Sequence, residues 1–179
     1  MNNRKLYMKR LMAGILLVGL SITFFACNKD NSLEEMRKNE LEKLDAFIQE
    51  NYPGEEPLPS GLYYFETQEG TGDTIKLGDR VQVFYATWTI DSILVDQSSG
   101  YTDGYRYEPL EFIVGNSEVV QGLEEAITYM QLGSVASLIL PSELAYGQNG
   151  SGYIGGFTTL LMEVEVYKVY PYVIPEEEE

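Results

Sequence analysis

The chain has 179 residues, no histidine and one cysteine, and its 28 acidic against 12 basic residues give a formal net charge of −16. The lack of histidine excludes histidine-dependent nucleophilic triads and argues against a zinc site, so we expect no metal and no other cofactor. A surface of this charge repels phosphate groups, which argues against nucleic acid as a partner.

Residues 1–26 have the pattern of a secretory signal peptide. Residues 1–10 carry four basic side chains and no acidic one, and residues 11–25 are almost wholly apolar. This apolar run is shorter than the about 20 residues that a membrane-spanning helix needs. The segment Phe24, Phe25, Ala26, Cys27 resembles the lipobox of bacterial lipoproteins, although Phe24 is less usual there than leucine.

The lipobox resemblance implies cleavage before Cys27 and lipidation of that residue. Each buried methylene of an acyl chain contributes about 0.8 kcal/mol to anchoring. The alternative is a free thiol beside a transmembrane anchor. Cleavage would leave eight basic and 28 acidic residues, a formal charge of −20. We therefore expect a protein that is lipid-anchored in the bacterial cell envelope, at the outer membrane. The sequence does not decide between the periplasmic and the surface face of that membrane.

Residues 27–56 are predicted to form a lipid-anchored tether with an amphipathic helix over 32–50. Ser32 suits the N-cap, and two glutamates follow in the first turn. This helix could dock on the domain, form a dimer seam or act as a stalk, and the sequence leaves the oligomeric state open. Its apolar residues recur near one helical face: Leu33, Met36, Leu41, Leu44, Phe47 and Ile48.

From Gly61 onward the apolar residues alternate with polar ones, which predicts short strands. One helix interrupts them, with Ser117 as its N-cap and Gly133 at its C-terminal cap. Antiparallel strands with one embedded helix indicate an α+β domain over 57–169, and the acidic residues 170–179 are predicted to be a disordered tail. The predicted strands cover residues 62–66, 80–89, 93–96, 110–114, 134–140 and 159–169.

Short motifs follow one another through the predicted domain. They are GLYY (61–64), EGTG (69–72), GDRVQVFY (78–85), VVQGLEEA (119–126), PSELAYG (141–147) and IGGFTTL (154–160). In this order they resemble the FKBP-type prolyl isomerase domain. The resemblance implies an antiparallel half-barrel sheet wrapped around one helix, with an apolar cleft between them that holds a proline ring.

The same resemblance implies peptidyl-prolyl cis-trans isomerase activity on proline-containing polypeptides, in the service of folding exported proteins. Rotation about an amide is opposed by about 18–20 kcal/mol. Such catalysis needs no nucleophile, acid or metal, because it depends on binding the twisted amide better than the planar one. The alternative is an FKBP fold with weak or no catalysis that binds unfolded clients or a cell-envelope partner.

The resemblance also assigns residues to the cleft. Tyr85, Asp96 and Tyr146 match its catalytic positions, and Tyr146 would donate its hydroxyl to the bound amide region. Without the resemblance, the simplest interpretation of the apolar candidates is ordinary core packing. The substrate-binding positions are matched by Leu110, Phe112, Val119, Val120, Leu123, Ile154 and Met162.

The chain departs from the family pattern in a way that makes the cleft less aromatic. Val95 and Leu110 stand where active members have aromatic walls. Leu123 replaces a common tryptophan, and Met162 replaces a phenylalanine. Each lost aromatic contact removes about 0.5–1.5 kcal/mol of binding, so weak activity is expected. One side chain of the long loop after Asp96 could restore a wall; the candidates are Tyr101, Tyr105 and Tyr107.

Overall fold

A computed structural model describes residues 28–98 and 108–173, with side chains from Ser32 onward. The predicted signal peptide, Cys27 and residues 174–179 of the predicted tail lie outside the described residues, as do three loop tyrosines, Tyr101, Tyr105 and Tyr107. The chain divides into two compact units, residues 1–36 and residues 37–179, and the described part of the first is helical. No helix within the described ranges is long and apolar enough to cross a membrane.

The secondary structure follows the predicted order of elements. Helix α1 spans Asn28–Asn51, and the shorter helix α2 spans Gln121–Ile127. The strands are β1 (Tyr63–Gln68), β2 (Arg80–Thr89), β3 (Leu94–Gln97), β4 (Leu110–Ile113), β5 (Val135–Leu140) and β6 (Leu160–Tyr170).

The strands form one antiparallel sheet with the order β1-β5-β6-β2-β3, and β4 also pairs with β2. Strand β2 pairs with β6 along its whole length. On its other edge, β4 pairs with residues 80–83 and β3 pairs with residues 86–88. Strands β4 and β3 therefore lie one after the other along the same edge of β2, and the sheet with its helix confirms the predicted α+β class.

The main core lies between α2 and one face of the sheet. Strand β2 shows how this face is divided. Val81 and Val83 are fully buried in the core, and the period-two alternation of a strand then places Tyr85 and Thr87 on the same face. The buried residues that α2 contributes are Gly122, Leu123, Ala126 and Ile127.

Residues 37–51 of α1 dock on the opposite face of the sheet. Leu44 and Ile48 form a second buried cluster with Ile139, whose neighbours along β5 belong to the main core. Beyond the helix, the ring of Tyr52 stacks on that of Phe65 with 4.6 Å between centroids. Met36 and Leu41, both predicted for the apolar face, are instead 45% and 43% exposed.

The predicted limits of the domain helix were wrong at both ends. Ser117 has a positive φ of 56° and does not cap α2, whose N-cap is Val120. The backbone N–H of Ser117 instead donates to Glu124 Oε1 at 3.0 Å, so a side chain from within the helix holds the preceding turn. Gly133 has a φ of 81°, but the helix ends at Ile127 and the Gly133 N–H donates to Val166 O of β6.

The last strand extends one residue into the predicted tail, since β6 ends at Tyr170. The chain stays attached beyond that point, because the Tyr172 N–H donates to Asp79 Oδ1 at 2.8 Å. The sequence pattern alone placed the boundary at the last alternating apolar residue, Val169.

Candidate active site

A cavity of about 170 Å³ opens where α2, the ends of β2 and β6, and the segment after β5 meet. Nine of the ten predicted catalytic and substrate-binding residues line it: Tyr85, Asp96, Leu110, Val119, Val120, Leu123, Tyr146, Ile154 and Met162. They come from separate parts of the chain, and the pairing of β3 and β4 with the same edge of β2 is what brings Asp96 and Leu110 together. Their catalytic roles stay a prediction.

Phe112 is the predicted site residue that the structure does not bring to the cavity wall. It lies on β4 opposite Val81 and is 2% exposed within the main core. Its neighbour two residues earlier, Leu110, does line the cavity. Phe112 therefore supports the cavity from behind, as the core-packing interpretation expected.

Tyr85 and Asp96 are joined across the pair of strands β2 and β3. The Tyr85 hydroxyl donates to Asp96 Oδ2 at 2.7 Å, and Asp96 Oδ1 accepts the N–H of Gln97 at 2.9 Å. Burial, followed by the hydrogen bond to Asp96 and its negative charge, raises the pKa of Tyr85 well above its usual range. Tyr85 is thus a protonated group with its proton directed to the carboxylate.

Tyr146 contributes a second hydroxyl. It follows the short 3₁₀ turn Ser142–Leu144 and is 37% exposed. Its hydroxyl has no hydrogen-bond partner among the described residues. Burial and the negative charge of Asp96 raise the pKa of Tyr146, so the hydroxyl keeps its proton at neutral pH and is available as a donor to a ligand.

The start of α2 supplies a backbone donor. Val120 is the N-cap, and its carbonyl accepts the N–H groups of Leu123 at 3.0 Å and Glu124 at 3.1 Å. The N–H of Val120 itself has no partner within the described part of the chain. A ligand carbonyl in the cavity would satisfy it.

The remaining wall is aliphatic. Tyr85 and Tyr146 supply the aromatic rings among the described lining residues, and Val95 packs against the core without lining the cavity. The apolar surface comes from Val119, Leu110, Leu123, Ile154, Leu160 and Met162. This composition matches the predicted loss of aromatic walls.

Sequence reasoning missed three lining residues, Thr87, Glu118 and Leu160. Thr87 is 2% exposed, and its hydroxyl oxygen finds no partner among the described residues. The signal was present, because Thr87 follows Tyr85 with strand periodicity and Leu160 precedes Met162 in the same way. Within the described ranges no cluster of histidine, cysteine, aspartate or glutamate is placed to hold a metal.

The cavity can bind a small apolar ring and offers hydrogen-bond donors to a carbonyl at its edge. Comparison with known proteins agrees with this chemistry. A family model described as FKBP-type peptidyl-prolyl cis-trans isomerase matches residues 72–167. The chain is 37% identical over 126 residues to the 22 kDa FKBP-type peptidyl-prolyl cis-trans isomerase of Escherichia coli K12, covering 69% of this chain and 58% of that protein.

The chain is also 34% identical over 111 residues to the FK506-binding protein of Neisseria meningitidis serogroup B, covering 62% of this chain and 97% of that protein. Among solved structures, a peptidyl-prolyl cis-trans isomerase of Pseudomonas syringae superposes with a TM-score of 0.63 at 29% identity, over 77% of this chain and 96% of that one. The chain thus spans somewhat over half of its Escherichia coli relative and nearly all of its Neisseria relative. It belongs to the family of FKBP-type peptidyl-prolyl cis-trans isomerases.

Proposed function

We propose that the cavity binds the proline ring of a polypeptide and catalyses rotation about the preceding amide bond. One observation carries the proposal. The mainly aliphatic cavity is lined by two hydrogen-bond donors that are free to bind a ligand, the Tyr146 hydroxyl and the Val120 N–H. Uncatalysed rotation about such a bond takes tens to hundreds of seconds.

The mechanism follows from what changes when an amide twists. Twisting takes the carbonyl and the ring out of one plane, and resonance between the nitrogen and the carbonyl is therefore lost. The aliphatic wall holds the ring, and donors at the cavity edge hold the carbonyl at an angle that the planar amide cannot adopt. These interactions are stronger in the twisted state than in the ground state, which is the condition for catalysis. The Tyr85–Asp96 pair fixes the wall beside the ring.

The test is turnover of a short proline peptide in a protease-free assay by a fragment of residues 28–179. We expect Tyr146→Phe and Asp96→Ala each to lower kcat/KM at least about tenfold, which corresponds to about 1.4 kcal/mol of transition-state stabilisation. Tyr153→Phe is the matched control, because Tyr153 lies in the same segment and is fully exposed. It should leave turnover unchanged.

A second candidate function is a binding module without useful catalysis. The observation in its favour is the mainly aliphatic wall, since among the described residues Tyr85 and Tyr146 are the ones that offer rings to stack on proline. If the folded fragment binds unfolded polypeptides without preferring proline and shows no turnover, this second function replaces the first.

We also propose that the protein is anchored in the bacterial cell envelope through lipid on Cys27 and that its clients are exported polypeptides. The support is the order of basic, apolar and lipobox-like residues over 1–27. Metabolic labelling with a fatty acid should mark the wild-type chain and not Cys27→Ala. Labelling of Cys27→Ala to the same extent would overturn the anchor.

A further inference from the structure

A buried carboxylate from α1 lies at the base of the segment that carries Tyr146. Glu40 is 4% exposed. Its Oε1 accepts the Ser142 N–H at 2.6 Å and the Thr159 hydroxyl at 3.1 Å, and its Oε2 accepts the Ser142 hydroxyl at 2.7 Å. Arg37, one turn earlier on the same helix, donates to Oε2 at 2.7 Å.

The two residues that Glu40 binds on the domain are the two ends of one segment. Ser142 follows β5, Thr159 precedes β6, and the residues between them include Tyr146 and Ile154 of the cavity wall. The ladder between β5 and β6 ends at the pair Leu140 and Leu160. Pro141 follows and has no N–H to extend the ladder. The Glu40 carboxylate thus holds Ser142 and Thr159 together beyond the last residue pair of the β5–β6 ladder.

Backbone hydrogen bonds connect Ser142 to the cleft tyrosine. The Ser142 carbonyl accepts the N–H of Ala145 at 2.9 Å and that of Gly147 at 2.7 Å, the two residues that flank Tyr146. The Gly147 carbonyl in turn accepts the N–H of Phe157 at 2.9 Å, which closes the segment. Any change in the orientation of Ser142 is therefore passed directly to Tyr146.

The burial of a charged group here is not needed to attach the helix. Leu44 and Ile48 already dock α1 through apolar contact. A buried carboxylate costs free energy unless donors surround it, and here four hydrogen bonds do so, one of which is also the ion pair with Arg37. A carboxylate accepts this many donors at once, whereas an amide cannot. The site therefore fixes geometry at the cost of burying a charge.

We propose that Glu40 is a positioning residue for the cleft, so that α1 sets the orientation of Tyr146 although it lies outside the family-matched residues 72–167. The inference rests on the proposed function for its effect on turnover. Its effect on the segment between Ser142 and Thr159 is independent of catalysis.

The experiment compares Glu40→Gln with Glu42→Gln in the full chain, purified in detergent micelles. Glu42 is an exposed residue of the same helix and pairs with Lys38 at 3.5 Å, so it controls for the loss of one helix charge. We expect Glu40→Gln to lower kcat for a short proline peptide at least about tenfold with little change in KM, since small misplacements of a group acting in the transition state cost this much. Glu42→Gln should match wild type.

Amide hydrogen exchange separates a local change in the segment from a general loss of stability, and the split between kcat and KM separates positioning from a merely structural role. In Glu40→Gln, exchange should accelerate at Ala145 and Gly147 and stay unchanged in β2 and at the centre of β6. Thr159→Val removes one hydroxyl with little change of shape and should show the same pattern more weakly, which keeps the test open if Glu40→Gln folds poorly.

Two results would overturn the inference. One is unchanged exchange at Ala145 and Gly147 in both folded variants; the other is unchanged kcat in variants of an active wild type. If wild type shows no turnover, the proposed function fails, while accelerated exchange confined to the segment would still support the positioning role of Glu40.

Discussion

The hydroxyl of Tyr85 and the carboxylate of Asp96 lie 2.7 Å apart across two paired strands, and this contact sets the ionisation of the cavity. The pKa of Tyr85 is raised by burial, by that hydrogen bond and by the aspartate charge, and the pKa of Tyr146 is raised by burial and by the same charge. Burial and this one carboxylate together hold both tyrosines in the protonated state.

The first prediction concerns this shared charge. Asp96→Asn should lower the pKa of both tyrosines towards 10.0, without reaching it, because burial remains. Ultraviolet titration of the variant against wild type would measure this, with Asp91→Asn as an exposed control. Because both folded-state pKa values lie above the unfolded value, their stabilising contribution is present below about pH 10 and is lost as pH rises through the folded values. In Asp96→Asn the folded-state pKa values lie closer to the unfolded value, so the pH range over which this stabilisation is lost should be narrower. Identical titration curves for the variant and the wild type would contradict the prediction.

The second prediction is the pH dependence of the Glu40 contacts. Burial alone would raise the pKa of Glu40, but hydrogen bonds from Ser142, Arg37 and Thr159 outweigh it and hold the pKa below 4.5. The stabilisation is therefore present above pH 4.5 and is lost as pH falls through the lower folded-state pKa. Urea unfolding should show Glu40→Gln less stable than wild type by about 1–3 kcal/mol at neutral pH, and the gap should shrink in acid. If the difference in unfolding free energy between Glu40→Gln and wild type stayed the same from neutral to acid pH, the result would argue against these contacts of Glu40.

The third prediction concerns the unpaired hydroxyl in the cavity wall. Thr87→Val replaces a buried hydroxyl that has no partner among the described residues with a methyl group of similar shape. The free energy of unfolding should rise by about 1 kcal/mol, because the cost of burying an unsatisfied polar group is removed. Chemical denaturation measures this directly. Thr67→Val is a suitable control, since the Thr67 hydroxyl donates to Val135 O and its loss should not stabilise the fold. A decrease in stability for Thr87→Val would mean that the hydroxyl has a partner.

The fourth prediction concerns the aliphatic wall. Leu110 lines the cavity and is only partly buried, so Leu110→Phe has room to place a ring against a bound proline. Affinity for a short proline peptide should improve by about 0.5–1.5 kcal/mol, the value of an aromatic contact. Leu77→Phe, at a site 73% exposed and away from the cavity, is the control. Unchanged or weaker binding in Leu110→Phe would show that the aliphatic wall is not what limits recognition.

The strands could be predicted because local rules govern them, since alternation along β2 and β6 marks inward residues. The cavity residues could be named only through the family resemblance of the ordered motifs, and nine of them line one cavity. The limits of α2 could not be found this way. Ser117 and Gly133 are good capping residues by type, but a side chain from inside the helix and a carbonyl from β6 claim their N–H groups.

The role of Glu40 was invisible for a related reason. Glutamate on a helix is normally solvated, and burial is acceptable here only because Ser142 and Thr159, more than a hundred positions away, donate to it. Helical spacing puts Glu40 on the same face as Leu44 and Ile48, unlike the exposed Glu42, but it does not identify the donors that make burial of this carboxylate acceptable. Such pairings follow from tertiary structure alone, as does the unsatisfied hydroxyl of Thr87.

The position of β6 has a consequence for the order in which the chain can fold. This strand is the last in sequence yet lies in the interior of the sheet, between β5 and β2. Without it, β1 and β5 have no connection to the ladder that β2 forms with β3 and β4. During synthesis, therefore, the sheet cannot close until Tyr170 has emerged from the ribosome. A polypeptide with this strand order can complete its sheet only near the end of its elongation.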